Sequence, residues 1–117
     1  MITITFFAKE IEQDVKVNLE SVTGFCSEGH AGYVSEGNDI VCAAVSILVM
    51  NTLNSIHMLT SDVFDYSEDE EKGMVDFRII SAISPETTLL FKSLLLGLQA
   101  VQEEYGEEYL RIDFQNS

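Results

Sequence analysis

Residues 38–59 read NDIVCAAVSILVMNTLNSIHML, and this stretch decides the fold. Its alanine, leucine and methionine residues favour a helix, and Asn38 or Asp39 is suited to cap the N-terminus, so the stretch predicts a helix that runs to about Leu59. Near its start, apolar residues cover most of the helical circumference. We therefore expect the first half of this helix to form the buried centre of the domain.

Upstream of this helix, alternating residues predict a β-hairpin. Residues 1–8 alternate as a half-buried strand does, and residues 15–19 alternate again after an acidic turn at residues 10–14. We expect the second strand to pair antiparallel with the first and to continue irregularly toward Phe25. Three glycines between residues 28 and 38 then predict a loop that leads into the helix.

Downstream of the helix, residues 63–66 and 74–80 are predicted to form two further strands. Four of the seven residues between them, 67–73, are acidic, which is typical of a solvated hairpin tip. Ser84, Pro85 and Glu86 are a helix-start signature, and apolar residues keep helical spacing until Gly106. Residues 109–114 alternate as a last strand. The order ββαββαβ predicts a two-layer α+β fold, with two helices packed on a mostly antiparallel sheet.

Length and composition narrow the class of protein. A chain of 117 residues with 46% hydrophobic content can bury one modest core, so we expect a single domain over residues 1–117. Twenty acidic and six basic residues give a formal net charge of -14, which argues against direct binding to nucleic acid and favours a basic protein or peptide as partner.

The same sequence argues against membrane insertion and secretion. The longest nearly continuous apolar run, residues 40–50 interrupted by Ser46, is shorter than the roughly 20 residues that a membrane span needs, and residues 1–10 lack the features of a signal peptide. We therefore expect a cytoplasmic protein with no membrane partner. Its two cysteines are then expected to be free thiols.

Cys42 is the residue with the clearest chemical potential. It is expected in the first turn of the central helix, where unpaired backbone N–H groups and the helix dipole favour a thiolate, the reactive form of cysteine. The alternative is a small apolar residue in a buried run. Of the two histidines, His57 lies fifteen residues further along the same helix, about 22 Å away, which is too far for a catalytic base. His30 lies in the glycine-rich loop, from which its imidazole could reach Cys42.

Three neighbouring residues have open roles. Asp39 could cap the helix or orient His30. Ser46 shares the helix face of Cys42, although a helix serine often bonds only its own backbone. Gly29 permits turn geometry, and a glycine also lets a substrate backbone approach closely.

Four residues of the same region have side chains that can bind a metal. Cys26, His30, Asp39 and Cys42 could formally supply four ligands, but their spacing lacks the paired cysteines of common structural zinc sites. We therefore expect Cys26 to be a strand residue, and we expect neither a metal nor another cofactor.

Residues 29–46 read GHAGYVSEGNDIVCAAVS and are followed by Asn51-Thr52-Leu53-Asn54. The glycine-histidine-alanine opening and the block DIVCAAVS at this separation resemble the bacterial ribosomal-processing cysteine protease family (Prp). The order of elements along the whole chain is similar too. The resemblance implies an endopeptidase that removes the N-terminal extension of a large-subunit ribosomal protein during ribosome assembly.

The resemblance also implies roles for individual residues. Cys42 matches the nucleophile and His30 the general base, while Gly29, Asp39 and Ser46 match further positions of the motif. The Cys42 backbone N–H, at a helix N-terminus, is expected to donate to the oxyanion. The resemblance suggests a homodimer. A loop that covers the active site, expected to be mobile without substrate, consists of Ala31, Gly32, Tyr33, Val34, Ser35, Glu36, Gly37 and Asn38.

Two other function classes stay open from the residues alone. One is a non-enzymatic acidic binding module or chaperone for a basic ribosomal protein, with Cys42 in its core. The other is a different thiol enzyme, such as a redox sensor.

Overall fold

The computed structural model describes residues 1–11, 18–29 and 36–117, and for residues 36–39 it describes the backbone alone. Within these ranges, five strands form one sheet in the spatial order β3-β4-β2-β1-β5. All neighbouring strands run antiparallel except β1 and β5, which are parallel. The predicted α+β fold and the order ββαββαβ are confirmed. The elements are β1 (Ile2–Ala8), a short 3-10 helix (Leu19–Ser21), β2 (Val22–Glu28), α1 (Glu36–Leu59), β3 (Phe64–Asp69), β4 (Met74–Ile79), α2 (Pro85–Tyr105) and β5 (Leu110–Asn116).

The core lies between one face of the sheet and the two helices. Alternation along β1 turns Ile2, Ile4 and Phe6 toward the helices, and all three are buried. Phe25 on β2 pairs with Phe6 in the antiparallel ladder and is fully buried. Its ring centroid lies 5.6 Å from that of Phe77 on β4. These aromatic rings form the centre of the apolar layer under the helices.

Helix α1 buries one side in this core. Its buried apolar residues recur at helical spacing and are Val41, Val45, Val49, Leu53 and Ile56. Helix α2 approaches α1 closely at Gly97, where an added Cβ would lie 2.8 Å from Cδ2 of Leu48. A side chain larger than hydrogen at this point would require the end of the Leu48 side chain to shift.

Helix α1 is also apolar on its outer side. Among the described residues, Ile40–Leu59 is the one helical stretch that is long and apolar enough to cross a membrane, with a mean hydropathy of 1.6. This stretch is longer than the apolar run at residues 40–50, because it also includes the second half of the helix, in which polar and apolar residues are mixed. A core helix has the same length and composition, and the buried side of α1 lies in the core.

The ends of α2 are as the sequence predicts. The Ser84 hydroxyl accepts a hydrogen bond from the Thr87 N–H at 3.2 Å, and Pro85 is the first helical residue. Gly106 follows the last turn with a φ of 112°, and its N–H donates to the Gln102 carbonyl at 2.8 Å.

The start of α1 differs from the prediction. The helix begins at Glu36, so Asn38 and Asp39 lie in its first turn and do not cap it, and the last three residues of the predicted loop are helical. Asparagine and aspartate are common N-cap residues, so Asn38 and Asp39 suggest a helix start. The helix dipole also favours an acidic residue inside the first turn, which is where Asp39 lies. The prediction of a cap at either residue is therefore wrong.

The second strand also differs. Residues 15–17 of the predicted strand lie outside the described residues, and Leu19 belongs to the 3-10 helix. The Asn18 side chain accepts a hydrogen bond from the Glu20 N–H at 3.0 Å and caps that turn, which ends the alternation. The strand that pairs antiparallel with β1 is β2.

Candidate active site

Cys42 borders a cleft on the helix side of the sheet. The cleft has a volume of about 520 Å³ and lies between the first half of α1, the end of β2 and the β3–β4 hairpin. Cys42 is half-buried in its wall, and Ser46 follows one helical turn later along the same wall. The thiol therefore faces a space that can hold a peptide.

The position of Cys42 within α1 changes two expectations. Cys42 is the seventh residue of the helix, so it lies beyond the first turn in which the helix dipole acts most strongly. Its backbone N–H lies beyond the unpaired groups at the helix N-terminus and is in place to bond the carbonyl four residues earlier. The expectation that this N–H donates to an oxyanion is therefore wrong, because the helix starts earlier than predicted.

Gly29 directly follows β2 and lines the cleft. Its φ is 115°, and an added Cβ would lie 2.3 Å from the carbonyl oxygen of Met1. No L side chain fits this position without a shift of the backbone. Of the two roles considered for Gly29, turn geometry is the one that the structure shows, and the turn sets where the chain leaves the sheet beside the cleft.

The opposite wall of the cleft is acidic. Glu68 and Asp69, at the end of β3, and Glu70, in the turn that follows, line the same cleft as Cys42. The sequence predicts residues 67–73 as a solvated hairpin tip and does not place them at the site. In the structure β3 continues through Asp69, so residues 67–69 of the predicted tip belong to the strand. These are the cleft residues that sequence reasoning missed.

Strand pairing explains how the hairpin reaches the site. β4 pairs antiparallel with β2, and Val75 lies opposite Ser27 near the end of β2. The hairpin tip therefore lies beside the turn at Gly29. The acidic run at residues 67–73 is the signal in the sequence, but its location depends on which strand β4 joins.

Cys26 lies on the other face of the sheet. It is the strand neighbour of core residue Phe25 and pairs with Asp76 on β4. Burial, together with the carboxylates of Asp76 and Glu28, raises the pKa of the Cys26 thiol, and the Arg78 guanidinium offsets part of this. Cys26 is thus a strand residue, as predicted, and it cannot share a metal ion with Cys42 across the sheet.

His57 is remote from Cys42. It is exposed in the last turn of α1, and its ring meets that of Phe64 edge-on at 5.7 Å between centroids. Fifteen residues of the same helix separate it from Cys42, which is about 22 Å along the axis. The exclusion of His57 as the partner of Cys42 therefore holds in the folded chain.

The remaining predicted site residues are described in part or not at all. His30 and the loop residues Ala31, Gly32, Tyr33, Val34 and Ser35 lie outside the described residues, and Asp39 is described by its backbone alone. Of the predicted site, the structure brings together Gly29, Cys42 and Ser46, and it adds the acidic hairpin tip.

Known proteins are similar to this chain in fold and in sequence. The family model described as "Cysteine protease Prp" matches residues 1–110. The ribosomal processing cysteine protease Prp of Staphylococcus aureus is 34% identical over 105 residues, which are 89% of this chain and 98% of that protein. Two crystal structures of an essential ribosomal processing protease Prp from S. aureus cover 98% of this chain and 100% of theirs at 30% identity. One holds a substrate peptide (TM-score 0.79) and the other a covalently linked product peptide (TM-score 0.77). The chain therefore belongs to the Prp family of ribosomal processing cysteine proteases.

Proposed function

We propose that residues 1–117 form one endopeptidase domain that removes the N-terminal extension of a basic large-subunit ribosomal protein, in the cytoplasm, during ribosome assembly. The observation that carries this proposal is a half-buried cysteine, Cys42, in the wall of a peptide-sized cleft in a chain of the Prp family. The similar S. aureus structures hold a substrate peptide and a covalently linked product peptide.

The proposed chemistry is that of a cysteine protease. The His30 imidazole takes the proton from the Cys42 thiol, and the thiolate attacks the scissile carbonyl carbon. The imidazolium then protonates the leaving amine, which leaves a thioester on Cys42. Water, deprotonated by the same imidazole, hydrolyses the thioester and frees the enzyme.

Two observations support His30 as the base. The chain has two histidines, and the distance along α1 excludes His57. Gly29, to which His30 is covalently bonded, lines the same cleft as Cys42.

Asp39 is proposed to orient His30. Because α1 starts at Glu36, Asp39 does not cap the helix. The orienting role, which depends on the charge of its carboxylate, is the one that remains of the two considered. An Asp39→Asn variant should be stably folded and impaired in cleavage, because a neutral amide holds an imidazolium less strongly than a carboxylate does.

The proposal of a basic substrate rests on charge. The formal net charge is -14, and the acidic residues Glu68, Asp69 and Glu70 line the same cleft as Cys42. Ribosomal proteins are commonly basic, so long-range attraction would speed their encounter with this surface.

The loop between β2 and α1 is proposed to order over the bound substrate. Its length is reduced to residues 30–35, because Glu36, Gly37 and Asn38 are helical. Amides of Ala31–Ser35 should exchange with deuterium quickly in the free protein and slowly when a Cys42→Ala variant holds an uncleaved peptide.

A homodimer is proposed through the outer side of the helix layer. Ile40 and Ile47 on α1 are exposed, and so are Leu89 and Leu96 on α2. Each pair is seven residues apart and so lies on one side of its helix. Exposed apolar surface of this kind favours association, and sedimentation of the purified protein measures it.

The decisive experiment uses the organism's own large-subunit ribosomal proteins. They are incubated with the enzyme, and their N-termini are read by mass spectrometry. One protein should lose a short N-terminal segment. Cys42→Ala and His30→Ala should each abolish this cleavage, and Cys42→Ser should nearly do so, because a hydroxyl stays protonated where a thiol ionises.

Cys26→Ser is the matched control, since it changes a thiol on the other face of the sheet and should keep most of the activity. Circular dichroism must show that all variants are folded. Full cleavage by Cys42→Ala would contradict the mechanism, and binding without cleavage by the wild-type protein would favour the acidic binding module.

A further inference from the structure

A second pocket lies next to the cleft beside Cys42, further along α1. This distal pocket is lined by Met50, Leu53, Asn54, His57, Phe64 and Tyr66 and has a volume of about 250 Å³. Met50 lines both spaces, and β3 contributes Tyr66 to one and Glu68 to the other. Because Tyr66 and Glu68 are two residues apart on one strand, they project from the same face. The two pockets are therefore adjacent, with Met50 in the wall of both, and we refer to them together as the groove between α1 and β3.

The groove has the length of a peptide segment. Leu53 and Asn54 follow Cys42 by eleven and twelve residues on α1, which places them about 16–18 Å along the axis. An extended chain advances about 3.3–3.6 Å per residue. A peptide whose scissile bond lies at Cys42 therefore reaches the distal pocket about four to six residues away.

The lining of the distal pocket suits one large apolar side chain. Leu53 is buried at its floor, while Met50 and Tyr66 are 44% and 43% exposed on its rim. The Tyr66 hydroxyl donates to the Glu68 carboxylate at 2.9 Å, which turns the polar end of this ring toward the acidic wall. A methionine on the rim adapts to different apolar shapes. The volume is below that of pockets for drug-sized ligands, as expected for a single side chain.

The strand beside the groove is open. β3 pairs only with β4 within the described sheet, so none of its strands covers the groove on that side. Two residues of the segment Asn51-Thr52-Leu53-Asn54, which the catalytic chemistry does not use, line the distal pocket.

We propose that the distal pocket is a specificity site, which holds a large apolar side chain of the substrate four to six residues from the scissile bond. This inference rests on the proposed protease function. It adds that substrate choice is made far from Cys42, by the second half of α1 and the start of β3.

The test fills the pocket without removing core side chains. Asn54 is exposed at its edge, so Asn54→Trp should place an indole over the pocket, whereas Asn54→Ala leaves the pocket open and is the matched control. Two peptides are taken from the ribosomal protein that the wild-type enzyme cleaves, one with about eight residues and one with about three on each side of the scissile bond.

For the long peptide, Asn54→Trp should lower kcat/KM about tenfold, to the value of the short peptide, because one apolar contact is lost. The short peptide should be cleaved equally by both variants and the wild-type enzyme. Serine in place of the apolar residue four to six positions from the bond should lower the wild-type kcat/KM and leave that of Asn54→Trp unchanged.

Three results would overturn the inference: no loss in Asn54→Trp, an equal loss on both peptides, or a loss that accompanies a changed sedimentation coefficient. The last would show that a second copy of the chain occupies the pocket. In each case cleavage by the wild-type enzyme would leave the proposed function intact, while failure of the wild-type enzyme to cleave would reject both.

Discussion

Gly29 is the residue whose substitution tests the link between backbone geometry and the cleft. Gly29→Ala should lower the free energy of unfolding by about 1–3 kcal/mol, because its φ of 115° is strained for any other residue and the added Cβ meets the Met1 carbonyl. It should also lower kcat/KM, because the turn sets the start of the loop that carries His30. Urea unfolding and peptide cleavage measure the two effects.

Gly106→Ala is the matched control for this substitution. Gly106 has a similar φ of 112°, but its nearest neighbour would be the Glu108 side chain at 3.5 Å, and it lies outside the cleft. Gly106→Ala should therefore destabilise the fold and keep kcat/KM. Equal losses of activity in both variants would contradict a local role for Gly29.

The two thiols should differ in reactivity. Burial and nearby carboxylates raise the pKa of Cys26, so less of it is thiolate at neutral pH, whereas Cys42 opens into the cleft. Iodoacetamide should modify Cys42 about tenfold faster or more, as read by mass spectrometry of digested protein. The Cys42→Ala variant gives the rate of Cys26 alone. Faster labelling of Cys26 would contradict the assignment of Cys42 as nucleophile.

At the scale of elements, α2 shows how far local sequence signals reach. Ser84, Pro85 and Gly106 each mark an end of the helix, and each end lies where predicted. The signals at the start of α1 are ambiguous, because aspartate is favoured both at a helix cap and inside the first turn of a helix. Sequence therefore predicts that α1 exists but misplaces its first residue. As a result it also places the Cys42 N–H in the first turn of the helix, where the structure does not have it.

The start of α2 should be sensitive to acid through Asp62. Its carboxylate accepts hydrogen bonds from the Ser84 N–H and hydroxyl, both at 2.9 Å. Although partial burial opposes it, hydrogen bonds from Thr87 and Ser84 hold the pKa of Asp62 below its ordinary value. A lowered pKa gives stability that is fully present above the ordinary value of about 3.9 and is lost as the pH falls through the lower, folded-state value.

Between about pH 6 and pH 2, the wild-type protein should therefore lose more unfolding free energy than Asp62→Asn does. Urea titrations at both pH values measure the difference. Ser84→Ala removes one of the donors and should reduce the pH dependence in part. Parallel losses in all three proteins would show that Asp62 is not coupled to folding.

At the scale of the molecule, the sheet order was the part that sequence could not provide. Alternation identifies strands, but nothing local states that β4 pairs with β2 or that β5 pairs in parallel with β1. These strand pairings join distant parts of the chain. Their stability comes from packing among many residues, so no single local pattern in the sequence predicts them. Helical spacing predicts that Cys42 and Ser46 share one face of α1, and both line the cleft, whereas the position of the acidic wall depends on the sheet order.

The acidic wall should control salt dependence. Replacing Glu68 and Glu70 by glutamine should lower kcat/KM for a basic peptide about threefold to tenfold at low salt, and should flatten its decline as salt is added. The double variant of Glu103 and Glu104 to glutamine, exposed on α2 and outside the cleft, makes the same change in net charge. Equal effects of both variants would show that total charge, rather than the cleft wall, attracts the substrate.

The parallel pairing of β1 with β5 also determines when the sheet can be completed during synthesis of the chain. Residues 2–8 leave the ribosome early, yet one of their two neighbours in the sheet is residues 110–116, which are made about a hundred residues later. Until then β1 is an open edge, and its Ile2, which lines the cleft, lacks its partner Leu110. A nascent chain therefore contains Cys42 long before its sheet is complete. The fold that carries the cleft therefore reaches its final sheet order only at the end of synthesis.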